Sequence, residues 1–224
     1  MPPAPTHAPR SPLPIIGIVG GIGAGKSQVA RMLEEEGCVV SYSDQLAADA
    51  LRDPAVQSTL RSWWGDSIFT VPAGTPPGTQ PQPQPDRSRI AAIVFADPAQ
   101  RARLEGLIHP WIARARQRQF AEAPPGTLAL VIDAPLLIEA GLHTQCTAVV
   151  FVDAPLDVRQ ARVQATRGWG PIELSRREAA QMPLDQKRTF AHHVLRNDGG
   201  SDALRAQVRQ VLGAVLAAHA AGHR

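Results

Sequence analysis

The segment GIVGGIGAGKSQ, residues 17–28, combines a glycine-rich turn with a lysine and a serine. Its spacing Gly20-x-x-x-x-Gly25-Lys26-Ser27 satisfies the pattern of a phosphate-binding loop at every position. Glycines let backbone N–H groups face a phosphate, the lysine can reach the β- and γ-phosphates, and the serine hydroxyl can bind Mg²⁺. The segment therefore predicts a site for a nucleoside triphosphate.

The sequence on either side of the loop fits the same interpretation. The apolar run at residues 15–19 is typical of a buried parallel strand, and apolar residues then recur at helical spacing until Gly37. A structural glycine turn with an incidental lysine is the alternative, but a complete motif between a strand and a helix rarely arises by chance. We therefore expect the loop to join a strand to a helix.

Length and cysteine content are those of a globular domain without disulfide support. The 224 residues suffice for one α/β domain with insertions and a sizeable core. Cys38 and Cys146 lie beside or within apolar stretches without metal-ligand spacing, so we expect buried, reduced thiols. This usage is typical of the reducing cytoplasm, which is the predicted location.

Charge and hydropathy argue against two classes of partner. The net charge is +3 and the chain has one tyrosine and few other aromatic residues, so nucleic-acid binding is not expected. Residues 1–14 lack the apolar core of a signal peptide, and no stretch approaches about 18 uninterrupted apolar residues. We expect a disordered tail over residues 1–14 and no membrane partner.

Four further apolar runs are predicted strands of the same sheet. They cover residues 39–43, 128–133, 148–153 and 194–197. Their alternation with helical patterns favours an α/β fold, with a mainly parallel five-stranded sheet flanked by helices and a site at the carboxyl ends of the strands. We assign the nucleotide-binding core to residues 15–50, 128–165 and 194–220.

A long helical insertion separates the predicted strand at residues 39–43 from the one at residues 128–133. Asp53 and Asp97, each followed by proline, are typical of helix N-caps with proline at the first helical position. Residues 51–127 are therefore predicted to form a helical substrate-binding subdomain. Within it, the proline-rich residues 72–85, PAGTPPGTQPQPQP, are predicted to be a solvated, expendable loop, the alternative being a recognition motif for a partner.

Basic residues become frequent between residues 159 and 188. A solvated helix face would account for any one of them. All of them follow the predicted strand at residues 148–153. That position is typical of a kinase lid, which closes arginines over the transferring phosphoryl group. We predict a helical lid over residues 166–193.

From about residue 15 to about residue 200 the sequence resembles the dephospho-CoA kinase family. The matching segments are GIVGGIGAGKS, SDQLA, DRSRIAAIVFADPAQRARLEGLIHPWI, VIDAPLLIEAGL, VVFVDAPLDVRQAR and SRREAAQMPLDQKRTFAHHVLRNDGG. The opening loop is shared by many NTPases, whereas the combination of the HP pair, the PLL run and the basic lid motif is more specific. The resemblance implies a P-loop kinase-like fold and ATP-dependent phosphorylation of the 3′-hydroxyl of dephospho-CoA, which gives CoA and ADP in the last step of coenzyme A biosynthesis.

The resemblance also implies roles for individual residues. ATP and Mg²⁺ would be bound by Gly21, Gly23, Ala24, Gly25, Lys26 and Ser27, with Ser27 as the metal ligand. Three lid arginines would contact phosphates or clamp the nucleotide, namely Arg162, Arg167 and Arg177. The adenine would lie by Asn197 and Gly199, and the acceptor side would be lined by His109, Leu136 and Glu139. The alternatives are a helix kink for His109, a core position for Leu136 and an ordinary exposed helix residue for Glu139.

The sequence departs from the family pattern after the second strand, where the usual Asp-x-Asp reads Tyr42-Ser43-Asp44. Alternation along a strand would put residues 42 and 44 on the same side. A tyrosine of pKa about 10 is protonated at neutral pH, whereas an aspartate of pKa about 4 is ionised. We therefore expect Asp44 to act as the base, with a helix N-cap as its structural alternative, and expect Asp44, Lys26 and Arg177 to be catalytic. An inactive enzyme or a different acceptor is also compatible with the departure.

Two further aspartates stand at the carboxyl ends of predicted strands. Asp133 and Asp153 are each followed by Ala-Pro, so each could be a carboxylate of the site or the N-cap of a helix. The sequence leaves both interpretations open.

Other proteins with the same loop are less compatible with this sequence. A GTPase would need an Asn-Lys-x-Asp element and an ABC-type motor a Leu-Ser-Gly-Gly-Gln signature, and the sequence contains neither. A nucleoside or nucleotide kinase of the same fold is the alternative to a dephospho-CoA kinase. The predicted ligands are ATP, Mg²⁺ and dephospho-CoA, and the predicted state is a monomer or weak homo-oligomer.

Overall fold

The computed structural model describes residues 13–71 and 83–222, and the chain divides into two compact units. One unit contains the described residues up to Tyr42 and from Ala123 onward, and the other is Ser43–Glu122. The strands are β1 (Ile15–Gly20), β2 (Val39–Tyr42), β3 (Phe69–Thr70), β4 (Gln84–Pro85), β5 (Leu130–Asp133), β6 (Ala148–Asp153) and β7 (His193–Arg196). The helices are α1 (Lys26–Glu35), α2 (Ser43–Ala50), α3 (Pro54–Trp64), α4 (Arg87–Ala96), α5 (Pro98–Ala121), α6 (Leu156–Arg167), α7 (Pro171–Ala179), α8 (Leu184–Thr189) and α9 (Ser201–Ala221).

A five-stranded parallel sheet forms the centre of the first unit. Its strand order is β2-β5-β1-β6-β7, and every neighbouring pair is parallel. Strands β5 and β6 are apolar and buried almost throughout, as expected for parallel strands covered by helices. The predicted α/β fold with a five-stranded sheet is therefore confirmed, although β5 begins at Leu130 rather than at residue 128.

Helices α1 and α9 contribute to one apolar core with this sheet. The core includes Val29 and Leu33 of α1 and Leu204 and Val208 of α9, all at most 3% exposed. Burial of each such side chain contributes about 1.5–3 kcal/mol relative to exposure. The strand and helix that flank the phosphate loop are thus anchored by packing on both sides of the loop.

The two cysteines follow their prediction only in part. Both are free thiols, and Cys38 is buried. Burial raises the pKa of Cys38 to about 11, against an opposing hydrogen bond from the Ala129 backbone and with a further increase from the charge of Glu36. Cys146 is only partly buried, because it lies in the connection before β6 rather than inside an element.

The second unit has its own apolar core. It contains Ala50, Val56, Leu60, Ile68, Phe69, Ile90 and Ile108. The side chains of Asp53 and Asp97 accept hydrogen bonds from backbone N–H groups of the following turns, so both predicted N-caps are confirmed. Because Ala47 and Leu51 pack against this core, α2 belongs to the second unit, whereas the sequence placed residues up to 50 in the nucleotide-binding core.

A short antiparallel pair of strands, β3 and β4, is not predicted by the sequence. Phe69 pairs with Pro85 and Thr70 with Gln84, so the last two residues of the predicted proline-rich loop form part of a sheet. Phe69 is buried in the core of the second unit, which anchors the pair. Residues 72–82 of the predicted loop lie outside the described residues.

The first described residues also depart from the predicted boundary of the tail. Pro14 is buried, and its carbonyl accepts a hydrogen bond of 2.9 Å from the Leu130 N–H. Pro14 is thus fastened to the sheet, while residues 1–12 of the predicted tail lie outside the described residues. Among the described helices, none has the length and apolarity needed to cross a membrane.

Candidate active site

Two glycines of the phosphate loop adopt backbone conformations that a side chain would strain. Gly23 has φ +78° and Gly25 has φ +96°, both in the left-handed region. A Cβ built on Gly25 would collide with Nδ2 of Asn197, and one on Gly23 would lie 2.8 Å from the carbonyl oxygen of Arg159. The loop therefore requires glycine at both positions; the motif specifies Gly25 but not Gly23.

The Lys26 ammonium lies over the start of the loop. Its Nζ donates hydrogen bonds to the carbonyl oxygens of Gly20 (3.0 Å) and Gly21 (2.9 Å). Charged phosphate oxygens are stronger acceptors than these neutral carbonyls. A nucleotide held by the loop would therefore offer Lys26 better partners, which fits the predicted role of this residue.

A hydroxyl and a carboxylate meet beside the loop. Ser27 is the second residue of α1, and its Oγ lies 3.4 Å from Oδ2 of Asp133, the last residue of β5. Asp133 is only 9% exposed. Hydroxyl and carboxylate oxygens are ligands that Mg²⁺ accepts, so this pair fits a magnesium ion carried by a nucleotide. Asp133 is not among the site residues selected from the sequence, although a carboxylate at a strand end was the signal that pointed to it.

Tyr42 ends the neighbouring strand. It is the register partner of Asp133, and its hydroxyl donates a hydrogen bond of 3.1 Å to Oε2 of Glu34. Burial raises the pKa of Tyr42 to about 12, and the negative charges of Glu34 and Asp133 act in the same direction. The phenol is therefore protonated at neutral pH.

Arg162 and Asn197 both bind the backbone of the loop. Asn197 is 2% exposed, and its Nδ2 donates a hydrogen bond of 2.8 Å to the Ala24 carbonyl. Arg162 donates from Nη2 to Oδ1 of Asn197 (3.2 Å), and its Nη1 lies 3.4 Å from the same Ala24 carbonyl. Contact of these residues with phosphate or adenine stays a prediction, as it does for the exposed Gly199.

Trp169 brings two of the predicted lid arginines together. Its ring centroid lies 4.1 Å from the Arg177 guanidinium and 4.7 Å from that of Arg167. Arg177 also pairs with Glu173 (2.6 Å), and hydrogen bonds from Arg176 and Arg177 hold the pKa of that carboxyl below its usual range. Trp169 is not among the residues predicted from the sequence, but an aromatic residue within a basic segment is a signal for such stacking.

Known proteins resemble this chain in sequence and in fold. A family model described as dephospho-CoA kinase matches residues 14–203. A dephospho-CoA kinase from Deinococcus radiodurans is 38% identical over 212 residues, which cover 94% of each chain. One from Thermobifida fusca is 35% identical over 198 residues, which cover 88% of this chain and 93% of that one. The crystal structure of a Thermus thermophilus protein matches with a TM-score of 0.76 and 32% identity, over 90% of this chain and 97% of that one.

The chain belongs to the dephospho-CoA kinase family. The family, the class of enzyme and the function predicted from the sequence are confirmed. The solved dephospho-CoA kinase of Campylobacter jejuni is 18% identical and matches with a TM-score of 0.64, over 91% of this chain and 98% of that one, which shows that it shares the fold. Dependence on ATP follows from membership of this kinase family.

Two residues that the dephospho-CoA kinase pattern places on the acceptor side are exposed. His109 lies in α5 and precedes Pro110, which is inside the helix. Leu136 is 45% exposed, whereas Leu137 and Ile138 are buried. The alternative of a core position for Leu136 is therefore wrong, because the turns after β5 direct the next two side chains inward instead.

Glu139, the third predicted acceptor-side residue, is held by the segment that contains α8. Its Oε1 pairs with the Nζ of Lys187 (3.0 Å), which is 1% exposed, and accepts a hydrogen bond from the Met182 N–H (3.0 Å). Burial acts to raise the pKa of Glu139, but the Met182 N–H and Lys187 together lower it below its ordinary value. Glu139 is thus ionised and tied to the lid segment, and it lies in a turn rather than in a helix.

Asp44 lies in the first turn of α2 and is exposed. Because β2 ends at Tyr42, the strand alternation expected for residues 42 and 44 does not apply. The helix begins at Ser43, so Asp44 is inside it rather than at its N-cap, and the helix dipole favours a carboxylate in this turn. The role of Asp44 as a base stays a prediction.

The helix-cap alternative is wrong for the other two strand-end aspartates. Asp153 pairs through Oδ2 with Nη1 of Arg188 (3.1 Å), and the N-cap of α6 is Pro155, which has no side-chain cap. Asp133 is followed by turns over residues 135–141 rather than by a helix. Asp133 contacts the phosphate loop through Ser27, whereas Asp153 is paired with Arg188.

Proposed function

We propose that the protein transfers the γ-phosphoryl group of ATP to the 3′-hydroxyl of dephospho-CoA and thereby forms CoA and ADP. Membership of the dephospho-CoA kinase family supports the acceptor and the place of the reaction in coenzyme A biosynthesis. The observation that carries the proposal is the approach of Ser27 Oγ to Asp133 Oδ2 at 3.4 Å, beside a loop that also holds Lys26. A hydroxyl, a carboxylate and an ammonium are the groups that phosphoryl transfer needs around its phosphates.

The loop residues bind the phosphates of ATP in this proposal. The phosphates lie against the loop residues Gly21, Gly23, Ala24 and Gly25, where backbone N–H groups of the loop can bind their oxygens. The Lys26 ammonium neutralises charge that develops on the transferring group. Arg162, Arg167 and Arg177 add positive charge from α6 and α7.

Ser27 and Asp133 would hold Mg²⁺ in this proposal. Bound there, the ion would neutralise negative charge on the β- and γ-phosphates. Within the described residues, no group of three or more His, Cys, Asp or Glu side chains could hold a metal alone. We therefore expect Mg²⁺ to bind together with the nucleotide, whose oxygens complete its ligands.

Asp44 orients the acceptor hydroxyl in this proposal. A loose phosphoryl-transfer transition state needs a carboxylate more to orient the hydroxyl than to deprotonate it early. Asp44 is exposed, so a substrate can reach it. The acceptor is also contacted by His109, Leu136 and Glu139.

The remaining assignments rest on composition. Two free cysteines fit the cytoplasm as the site of action. The modest net charge of +3 fits a small-molecule acceptor rather than a nucleic acid. A monomer or weak homo-oligomer is the proposed state.

A coupled assay that follows ADP release tests the proposal. Dephospho-CoA should be phosphorylated at a kcat/KM at least about 10²-fold above that of each member of a panel of nucleosides and nucleotides. If a nucleoside or nucleotide had the highest kcat/KM instead, the protein would be a nucleoside or nucleotide kinase. Formation of CoA should also be measured directly, so that ATP hydrolysis alone is not counted as transfer.

Lys26→Ala is the matching inactive control. Loss of one preorganised charge contact should lower kcat at least about 10²-fold. The side chain donates hydrogen bonds to the Gly20 and Gly21 carbonyls of the loop and is not part of the apolar core, so circular dichroism should not change. Normal turnover by a folded Lys26→Ala variant would contradict the assignment of the phosphate loop.

A further inference from the structure

A buried arginine lies against the phosphate loop. Arg159 of α6 is 6% exposed and donates from Nε to the Ala154 carbonyl (3.2 Å) and from Nη1 to the Ile22 carbonyl (3.3 Å). Its closeness to the loop is also seen at Gly21, where an added Cβ would lie 3.0 Å from Nη1. Arg159 therefore contacts the first part of the phosphate loop, at Gly21 and Ile22.

The partner of this arginine comes from α7. Oε1 of Glu178 forms an ion pair with Nη1 of Arg159 and accepts a hydrogen bond of 3.2 Å from the Ile22 N–H. The Glu178 side chain is 23% exposed and that of Arg159 is 8% exposed, so both charges are largely removed from water. Ile22 is thus held through its carbonyl by one member of the pair and through its N–H by the other.

We propose that Arg159 and Glu178 are positioning residues that keep the phosphate loop in its binding conformation and fasten α7 to it. Loop amides fixed before ATP arrives need not be ordered during binding, and this preorganisation raises affinity. Arg177 is adjacent to Glu178 in α7, so the same contact helps to place that arginine. The expected change in turnover rests on the proposed phosphoryl transfer. The expected change in the affinity for ATP does not depend on which acceptor is phosphorylated.

The same unit contains a surface ion pair that does not contact the phosphate loop and serves for comparison. Arg209 of α9 pairs with Glu36 at the end of α1 (2.7 Å), and the arginine side chain is 62% exposed. Exposed pairs of this kind contribute little to stability. The Arg159–Glu178 pair differs because its arginine side chain is only 8% exposed and because both members also bind the backbone of Ile22.

Glu178→Gln tests the proposal with little risk to the fold. The amide oxygen can still accept from Ile22, and Arg159 keeps two carbonyl acceptors. The Kd for ATP, measured by calorimetry without acceptor, should rise about fivefold or more. In turnover the KM for ATP should rise by a similar factor, while the KM for dephospho-CoA stays within about twofold.

A double variant separates positioning from packing. Arg159→Met with Glu178→Leu replaces the pair by apolar side chains of similar volume, a change that often preserves or raises stability. We expect an unchanged or higher Tm together with weaker ATP binding. The matched control, Glu36→Gln, should bind ATP within about twofold of the wild type.

ATP binding within about twofold of the wild type in both Glu178→Gln and the double variant would overturn the proposal. If Glu178→Gln lowers Tm enough to impair folding, the double variant alone decides. A wild type that binds ATP but makes no CoA would contradict the proposed function and leave this comparison of Kd values intact.

Discussion

Two neighbouring strands of the sheet, β2 and β5, end in side chains of opposite character. Tyr42 and Asp133 are register partners. The Asp133 carboxylate lies 3.4 Å from the Ser27 hydroxyl, whereas the Tyr42 hydroxyl donates to Glu34 at 3.1 Å. One strand thus ends in a carboxylate at the phosphate loop, and the other ends in a phenol that is bound to a carboxylate of α1.

This difference separates two requirements of phosphoryl transfer. A metal ion needs hard oxygen ligands, and the attacking hydroxyl needs an acceptor that orients it. Asp133 fits the first requirement. Tyr42 does not fit the second, because its pKa of about 12 keeps it protonated. The carboxylate for the acceptor therefore has to come from elsewhere, and Asp44 in the first turn of α2 is the candidate.

The strand end at β5 should show the largest effect. Asp133→Asn replaces a charged metal ligand by a neutral one, so kcat should fall roughly 10³-fold and more Mg²⁺ should be needed for half-maximal activity. Steady-state kinetics over a series of Mg²⁺ concentrations measure both quantities.

Asp153→Asn is the matched control, because Asp153 ends β6 in the same sheet but pairs with the exposed Arg188. Its kcat should stay within about twofold of the wild type. Equal losses in the two variants would mean that the contact of Asp133 with Ser27 has no special role.

Asp44→Asn should have the next largest effect. Loss of the carboxylate that orients the hydroxyl should lower kcat about 10²-fold, with the Kd for ATP retained. Asp49→Asn, in the same helix and paired with the exposed Arg52, is its control and should stay near the wild type. A mild Asp44→Asn variant would remove Asp44 as the base.

The fold follows from local patterns in the sequence to a large extent. The glycine spacing, the apolar runs and the capped helix starts at Asp53 and Asp97 each depend on residues close together in the chain, and the structure confirms them. The pair β3 and β4 joins residues on either side of the proline-rich segment, so no local pattern indicated it. The sequence suggested a strand that would place residues 42 and 44 on the same side, but α2 begins at Ser43 and ends that strand.

The part of the site that lies in one continuous sequence motif could be predicted from the sequence. The loop with Lys26 and Ser27 follows from spacing alone, but the contact of Ser27 with Asp133 depends on the order of strands in the sheet. Contacts of the Arg159–Glu178 type depend on how α7 docks, and residues 19 positions apart along the chain give no signal of this. The acceptor side was assigned by resemblance, since exposed side chains such as His109 follow no packing rule.

Tyr42→Phe should have the smallest effect of the set. The change removes one hydrogen bond, to Glu34, and leaves the aromatic ring in place. Because the phenol is protonated at neutral pH, it contributes no proton acceptor, and kcat should fall less than about tenfold. An inactive Tyr42→Phe variant together with an active Asp44→Asn variant would show that Tyr42, and not Asp44, acts on the acceptor hydroxyl.

The pH dependence of turnover tests in the unmodified protein whether the Tyr42 phenol accepts the proton. A pKa raised to about 12 favours the protonated phenol, so Tyr42 ionises only when the pH approaches that value. If the phenolate were the base, kcat would increase about tenfold for each pH unit between about pH 8 and 10, because the ionised fraction grows at that rate. With Asp44 as the orienting carboxylate, the phenol takes no part in the proton transfer, so kcat should be level over this range, and Tyr42→Phe should give a profile of the same shape. A rising limb that Tyr42→Phe abolishes would show that the phenol accepts the proton after all.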